Sequence, residues 1–333
     1  MVRKISGAIF SFLATEIAGG IALVTSCAIA LIASNSPWGA EYISFWEPSR
    51  NFISEGLMSL FFFLVGLEIK REFAHGELKN PKFAALPVIA AVGGMATPAI
   101  IFTLFNHSGT GAEGWAVAMP TDIALALGAL ALLGKRIDTS LKIFLLTLAI
   151  ADDLGSIIVL GTFYSGGISP LRIASTIGAV LLAWVIPNRS VFTTDRLIRI
   201  IHPWTSFLII PLFALVNIGI TFDFGTIGTL ITSPIALGLI VGRILGKIVG
   251  ITLFAWLAIK IGIASKPESL SFKEIAGAGA LAGMGLTVSL FIADLAFTDA
   301  HQLDQVKVGL IISAIISSLL GLAILRRYSV AQD

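Results

Sequence analysis

The sequence predicts an all-α polytopic membrane protein of about ten transmembrane helices, forming a single transporter-like domain over residues 1–333. Three observations predict it. Of the 333 residues, 56% are hydrophobic and 13% charged, whereas a soluble domain carries about 25% charged residues. The mean hydropathy is +0.95. The apolar residues gather into stretches long enough to cross a bilayer, and the basic residues between them fall mostly on alternate connections.

A span needs about 20 apolar residues to cross roughly 30 Å of hydrocarbon. The first candidate is 15–34, which follows a possible interfacial lead-in at 5–14 and contains the single cysteine, Cys27, so no intrachain disulfide exists. Span two, 52–70, carries Glu55 and Glu68; span three is 84–105. Span four, 115–134, contains Met119-Pro120-Thr121-Asp122, where Pro120 removes a backbone donor and breaks the helix. Span five, 141–164, carries Asp152 and Asp153; spans six and seven are 168–187 and 204–222. Span eight, 234–258, carries Arg243 and Lys247. Span nine, 274–297, contains Gly283-Met284-Gly285, where the backbone can unwind, with Asp294 near its end. Span ten is 306–325.

Cytoplasmic connections carry an excess of Lys and Arg. With the N-terminus inside, 17 basic residues lie on the inner side, from Arg3 and Lys4 to Arg326 and Arg327, and three on the outer side, Arg50, Arg172 and Lys307. Arg243 and Lys247 remain within span eight. Both termini are therefore expected in the cytoplasm. The net charge of +2 offers no basis for nucleic-acid binding.

A charge at mid-membrane costs at least about 2.5–3.5 kcal/mol, so such residues usually face the bundle interior and serve function. Asp152 lies about 17 Å from the inner end of its span and Lys247 about 20 Å from the outer end of its own, so the two can meet. Adjacent helical positions point about 100° apart. One of Asp152 and Asp153 can therefore line a cavity while the other pairs with Lys247; neutralising basic groups for structure alone is the alternative. Asp122 lies about a third of the way in from outside. Glu68 opens the run Glu68-Ile69-Lys70-Arg71-Glu72, and it reads equally as an interfacial acid paired with nearby bases. Unwound backbone at this depth is tolerated where it is buried or lines a cavity, and free carbonyls suit a hard cation such as sodium. A proline kink and close glycine packing are the alternative. Spans three to five (about 84–164) and eight to ten (about 234–325) have opposite orientation, which suggests an inverted repeat with its site where spans four and nine cross.

The stretches Phe63-Leu64-Val65-Gly66-Leu67-Glu68-Ile69-Lys70-Arg71-Glu72, Thr121-Asp122-Ile123-Ala124 and Ala151-Asp152-Asp153-Leu154-Gly155 resemble the NhaA family of sodium/proton antiporters. So do Gly246-Lys247 and Gly285-Leu286-Thr287-Val288-Ser289. Broken helices are a known property of that family and add no independent weight. The resemblance implies that Asp152 and Asp153 are the carriers of the transported sodium and protons, with Asp153 the sodium ligand and Asp152 the partner of Lys247, and that Asp122 and Lys247 balance the dipoles of the broken helices. Thr121 would assist at the cation site. Glu55 would stand in the cytosol-to-site route or its supporting shell, with Glu68, Arg71 and Glu72 also supporting.

Three departures accompany the resemblance. The family has twelve spans, and here the chain passes from Gly166-Gly167 almost directly to a segment like the family's eighth. The connection after span one is too short for the extracellular β-hairpin through which family members dimerise, so a monomer or a dimer through another surface is expected. The family's acid and histidine before His-Pro-Trp are replaced by Ile198 and Arg199, with His202 retained.

The resemblance thus implies an electrogenic exchanger of a bacterial inner membrane that expels Na+, or Li+ in its place, for H+ and needs no cofactor. Two rivals stand beside it. A sodium-coupled symporter of an organic anion would need its anion for sodium flux. An intramembrane aspartyl protease would need two aspartates converging on one water, where Lys247 is out of place.

Overall fold

The computed structural model describes residues 2–134, 137–164, 170–186, 193–221, 225 and 227–328. Among the described residues every regular element is helical. Seven helices are long and apolar enough to cross a membrane, and two further pairs of helices are each bent at a short break. The sixth expected span is the shorter helix Pro170–Val185. Gly166 and Gly167, where the family's extra helices are expected to be missing, lie outside the described residues, as do Lys135, Arg136 and Arg189.

The first span is the end of a longer helix, Val2–Ser34. The second runs from Gly39 to His75, well beyond the expected 52–70. The polar segment before Phe52 is thus mostly helix, not loop, and a widened π turn at Phe52–Leu57 follows the internal Pro48. The third span is Pro81–Phe105. The fifth, Thr139–Phe163, starts where the Asp138 side chain accepts from the Ser140 N–H at 2.6 Å, which satisfies an otherwise orphan donor. The seventh is Thr194–Asn217, so His202 lies inside it rather than before it. The eighth is Pro234–Lys260, opened by Ser233 as cap with Pro234 in the first turn. The tenth is Ala300–Tyr328.

Spans four and nine are the broken ones. In span four a 3₁₀ segment, Thr110–Ala118, is followed after Pro120 by the α-helix Ile123–Ala131, with a bend of 47°. In span nine Phe272–Ala282 and Thr287–Ala296 meet at 52°. The first half starts with a reciprocal capping box between Ser271 and Glu274. Spans three and eight pack backbone to backbone: a Cβ on Gly93 would strike the Gly250 carbonyl, and a Cβ on Gly250 would strike that of Gly93. Such small-residue contacts let membrane helices approach closely. This packing brings Arg243 and Lys247 against both breaks.

Candidate functional site

The two breaks touch each other. The Asp122 N–H donates to the Met284 carbonyl at 2.9 Å. Asp122 Oδ2 accepts from the N–H groups of Leu286 at 2.5 Å and Thr287 at 3.0 Å, and Oδ1 accepts from the Thr287 hydroxyl. The carboxylate of span four thus sits on the positive N-terminal end of the second half of span nine, where an anion is favoured.

Asp152 and Asp153 diverge as neighbours on a helix must. Lys247 Nζ lies 2.6 Å from Asp152 Oδ2, with neither side chain reaching solvent. Thr121 bridges them, because its hydroxyl oxygen accepts from Lys247 at 3.0 Å and lies 2.6 Å from Asp152 Oδ2 and 2.9 Å from the Ala282 carbonyl. Asp153 turns the other way, into a cavity of about 50 Å³. That volume holds a few waters, since one needs roughly 10–15 Å³. Thr121, Asp122, Asp153 and Glu68 line it, together with Glu16 and His202. His202 Nε2 and Glu16 Oε1 are 2.5 Å apart.

Thr121, Asp122, Asp152, Asp153 and Lys247 are therefore gathered at the crossing, and Glu68 stands on the cavity wall. Arg71 and Glu72 adjoin it on the same helix, their side chains 4.0 Å apart. Glu55 is not among the residues lining the cavity. It precedes Glu68 on one continuous helix by 13 positions, about 20 Å at 1.5 Å per residue. That distance separates it from Glu68 and the cavity wall. Lys247 meets Asp152, the partner the resemblance implies. Its polar contacts are Asp152 and Thr121, while the Val117, Pro120 and Gly283 carbonyls at the breaks are held by Arg243. A guanidinium fork reaches several carbonyls at once, whereas an ammonium behaves as a point charge.

Sequence reasoning passed over Glu16. It sits at one end of the first span, where an interfacial acid is unremarkable. The available signal was that it is the sole acid between residues 15 and 34. Among the described residues there is no cluster of His, Cys, Asp and Glu suited to a resident metal ion.

The model of the family described as Na+/H+ antiporter 1 matches residues 10–194 and 172–325. The chain belongs to this family. It is 36% identical to the Na(+)/H(+) antiporter NhaA of Koribacter versatilis, over 96% of this chain and 91% of that one. It is 37% identical to the protein of that name in Shewanella sp. strain MR-7, over 94% and 96%, and 36% identical to that of Proteus mirabilis, over 94% and 95%. These alignments run over 414, 374 and 375 positions, more than the 333 residues here. The NhaA relatives thus carry segments with no counterpart in this chain. Residues 172–194 are matched in both stretches of the family model, around the short sixth helix. That overlap lies between the two broken spans.

Proposed function

We propose that this chain is an electrogenic sodium/proton antiporter of a bacterial inner membrane, with both termini in the cytoplasm. The observation that carries the reading is the unequal environment of two adjacent carboxylates. Asp153 faces a small acidic cavity, while Asp152 is locked to Lys247 behind it. A carboxylate removed from water needs a proton or a cation to neutralise it. Competition between the two at Asp153, with Asp152 exchanging its proton as Lys247 is released, couples sodium to proton. Asp122 and Thr121 complete the cation's surroundings, and Glu68 stands with Glu16 and His202 on its route from the cytoplasm. The curated relatives, named as Na(+)/H(+) antiporters, support the same cargo.

Two titrating carboxylates suggest about two protons per sodium. Each cycle then moves one net charge inward, and 100 mV adds about 2.3 kcal/mol to the export of sodium. Residues 84–164 and 234–325 act in this reading as inverted repeats. Support comes from the matching breaks and from the packing of span three on span eight. The absent helices fall between the repeats, and loss of an even number of spans preserves the orientation of those that follow.

The rivals fit less well. An organic anion would meet Glu16, Glu68, Asp122 and Asp153 on one cavity wall, and like charge repels it. For a protease, the Lys247 ammonium paired with Asp152 beside the aspartates is out of place. The test is sodium-induced dequenching of a pH dye in everted vesicles, paired with growth of an antiporter-deficient strain in high sodium at alkaline pH. Correctly inserted protein giving neither response would defeat the proposal. Sodium flux requiring an organic anion would favour the symporter.

A further inference from the structure

Arg243 is fully buried; it does not line the cavity, and its hydrogen bonds go to neither Lys247 nor Asp152. It leaves span eight within the π turn Gly242–Gly246, immediately before Lys247. Its Nε donates to the Gly283 carbonyl at 3.1 Å and its Nη2 to the Pro120 carbonyl at 2.7 Å. Its Nη1 donates to the Val117 carbonyl and the Ser289 hydroxyl, both at 2.9 Å. Val117 closes the first half of span four, and Gly283 closes the first half of span nine. Each such C-terminal end carries roughly half a negative charge. Ser289 belongs to the second half of span nine. One side chain therefore touches three of the four half-helices. The fourth follows Pro120 directly through Thr121 and Asp122. Gly285 is required here, because a Cβ would strike both the guanidinium and the Pro120 carbonyl.

These carbonyls are the oxygens that unwinding frees for a hard cation. With the guanidinium on them, the ligands left for sodium are those on the cavity side, Thr121, Asp122 and Asp153. We propose that Arg243 is a positioning residue for the exchange site, a tethered cation that ties the two broken spans together by their free carbonyls and so sets the spacing of Thr121, Asp122 and Asp153. The proposal rests on the antiport reading. A lysine at 243 would keep the charge but lose the planar fork that spans two helices.

The experiment compares wild type, Arg243→Lys and Arg243→Gln for the sodium concentration giving half-maximal dequenching in everted vesicles. Insertion and folding are read by size-exclusion of the solubilised protein. In the Gln variant the half-maximal sodium concentration should rise about tenfold, as expected for losing charge-assisted hydrogen bonds, and it should rise less in the Lys variant. A merely structural residue would lower the amount of folded protein and the maximal signal at an unchanged half-maximal concentration. That result, or failure of both variants to fold, overturns the proposal. Wild-type vesicles that never respond would overturn the antiport reading instead. Sodium stabilisation of the purified proteins against heat then decides on Arg243. A sodium requirement shifted in the Gln variant supports it, and an equal requirement in all three proteins overturns it.

Discussion

Lys247 and Asp152 form an ion pair at 2.6 Å with no exposed surface on either side chain, and Thr121 stands within hydrogen-bonding distance of both. Removing one member of a buried pair leaves the other charge uncompensated, at a cost of about 3–5 kcal/mol. Lys247→Ala should therefore lower the thermal midpoint of the purified protein as well as its transport. An unchanged midpoint would show that the pair contributes nothing to stability.

Asp153→Asn and Asp152→Asn should each abolish sodium-driven proton exchange while the protein still inserts. The amide keeps the shape of the side chain and removes the site at which proton and sodium compete. Dequenching in everted vesicles at matched protein levels is the measurement. Full exchange by either variant would remove that residue from the mechanism.

Asp122→Ala strips the cap from the second half of span nine. The N–H groups of Leu286 and Thr287 lose their acceptor, and each buried unsatisfied group costs about 1–3 kcal/mol. The expected result is a lower thermal midpoint together with weakened sodium dependence. Asp122→Asn, which keeps an acceptor oxygen, should recover part of the stability. A midpoint identical in all three proteins would contradict the cap.

Gly250→Val forces a branched side chain against the Gly93 carbonyl. Overpacking of this kind costs about 1–3 kcal/mol. It should also separate span eight from span three and so displace Lys247 from Asp152. Thermal unfolding and sodium-driven dequenching should fall together. A stable, fully active Gly250→Val protein would show that the close approach is not required.

Assembly is expected to be monomeric, or dimeric through a surface other than the connection after span one. Among the described residues that connection is a turn leading into helix at Gly39, with no strand to pair with a second copy. Cross-linking and mass photometry in mild detergent read the outcome. A dimer lost on substitution of residues 35–38 alone would contradict the expectation.

Much of this arrangement was legible in the chain. Pro120 and the Gly283-Met284-Gly285 run mark both breaks, because each removes a local reason for the helix to continue. The second and seventh spans were read too short for a common reason. Glu47, Pro48, Arg50 and Asn51 lower the hydropathy before Phe52, as Asp195, Arg196 and Arg199 do before Trp204. The backbone nevertheless continues its hydrogen bonds through both segments. Glu16 and the part taken by Arg243 were not legible, because each depends on a neighbour distant in sequence. Glu16 meets His202 186 positions away, and Arg243 meets Pro120 across 123.

The sequence by itself determined that the chain is an all-helical polytopic membrane protein, where two of its helices break, and that Asp122, Asp152, Asp153, Arg243 and Lys247 are buried. A bilayer imposes length, hydropathy and charge asymmetry on each segment separately, so these properties are written locally. Only the tertiary structure decided which buried charge meets which. Arg243 took the Val117, Pro120 and Gly283 carbonyls, Asp122 took the Leu286 and Thr287 N–H groups in particular, and Glu16 took His202. The deciding quantity is the close crossing of spans three, four, eight and nine. No single segment encodes it, because it arises from backbones that glycine allows to touch and from dipole ends that must each find a charge.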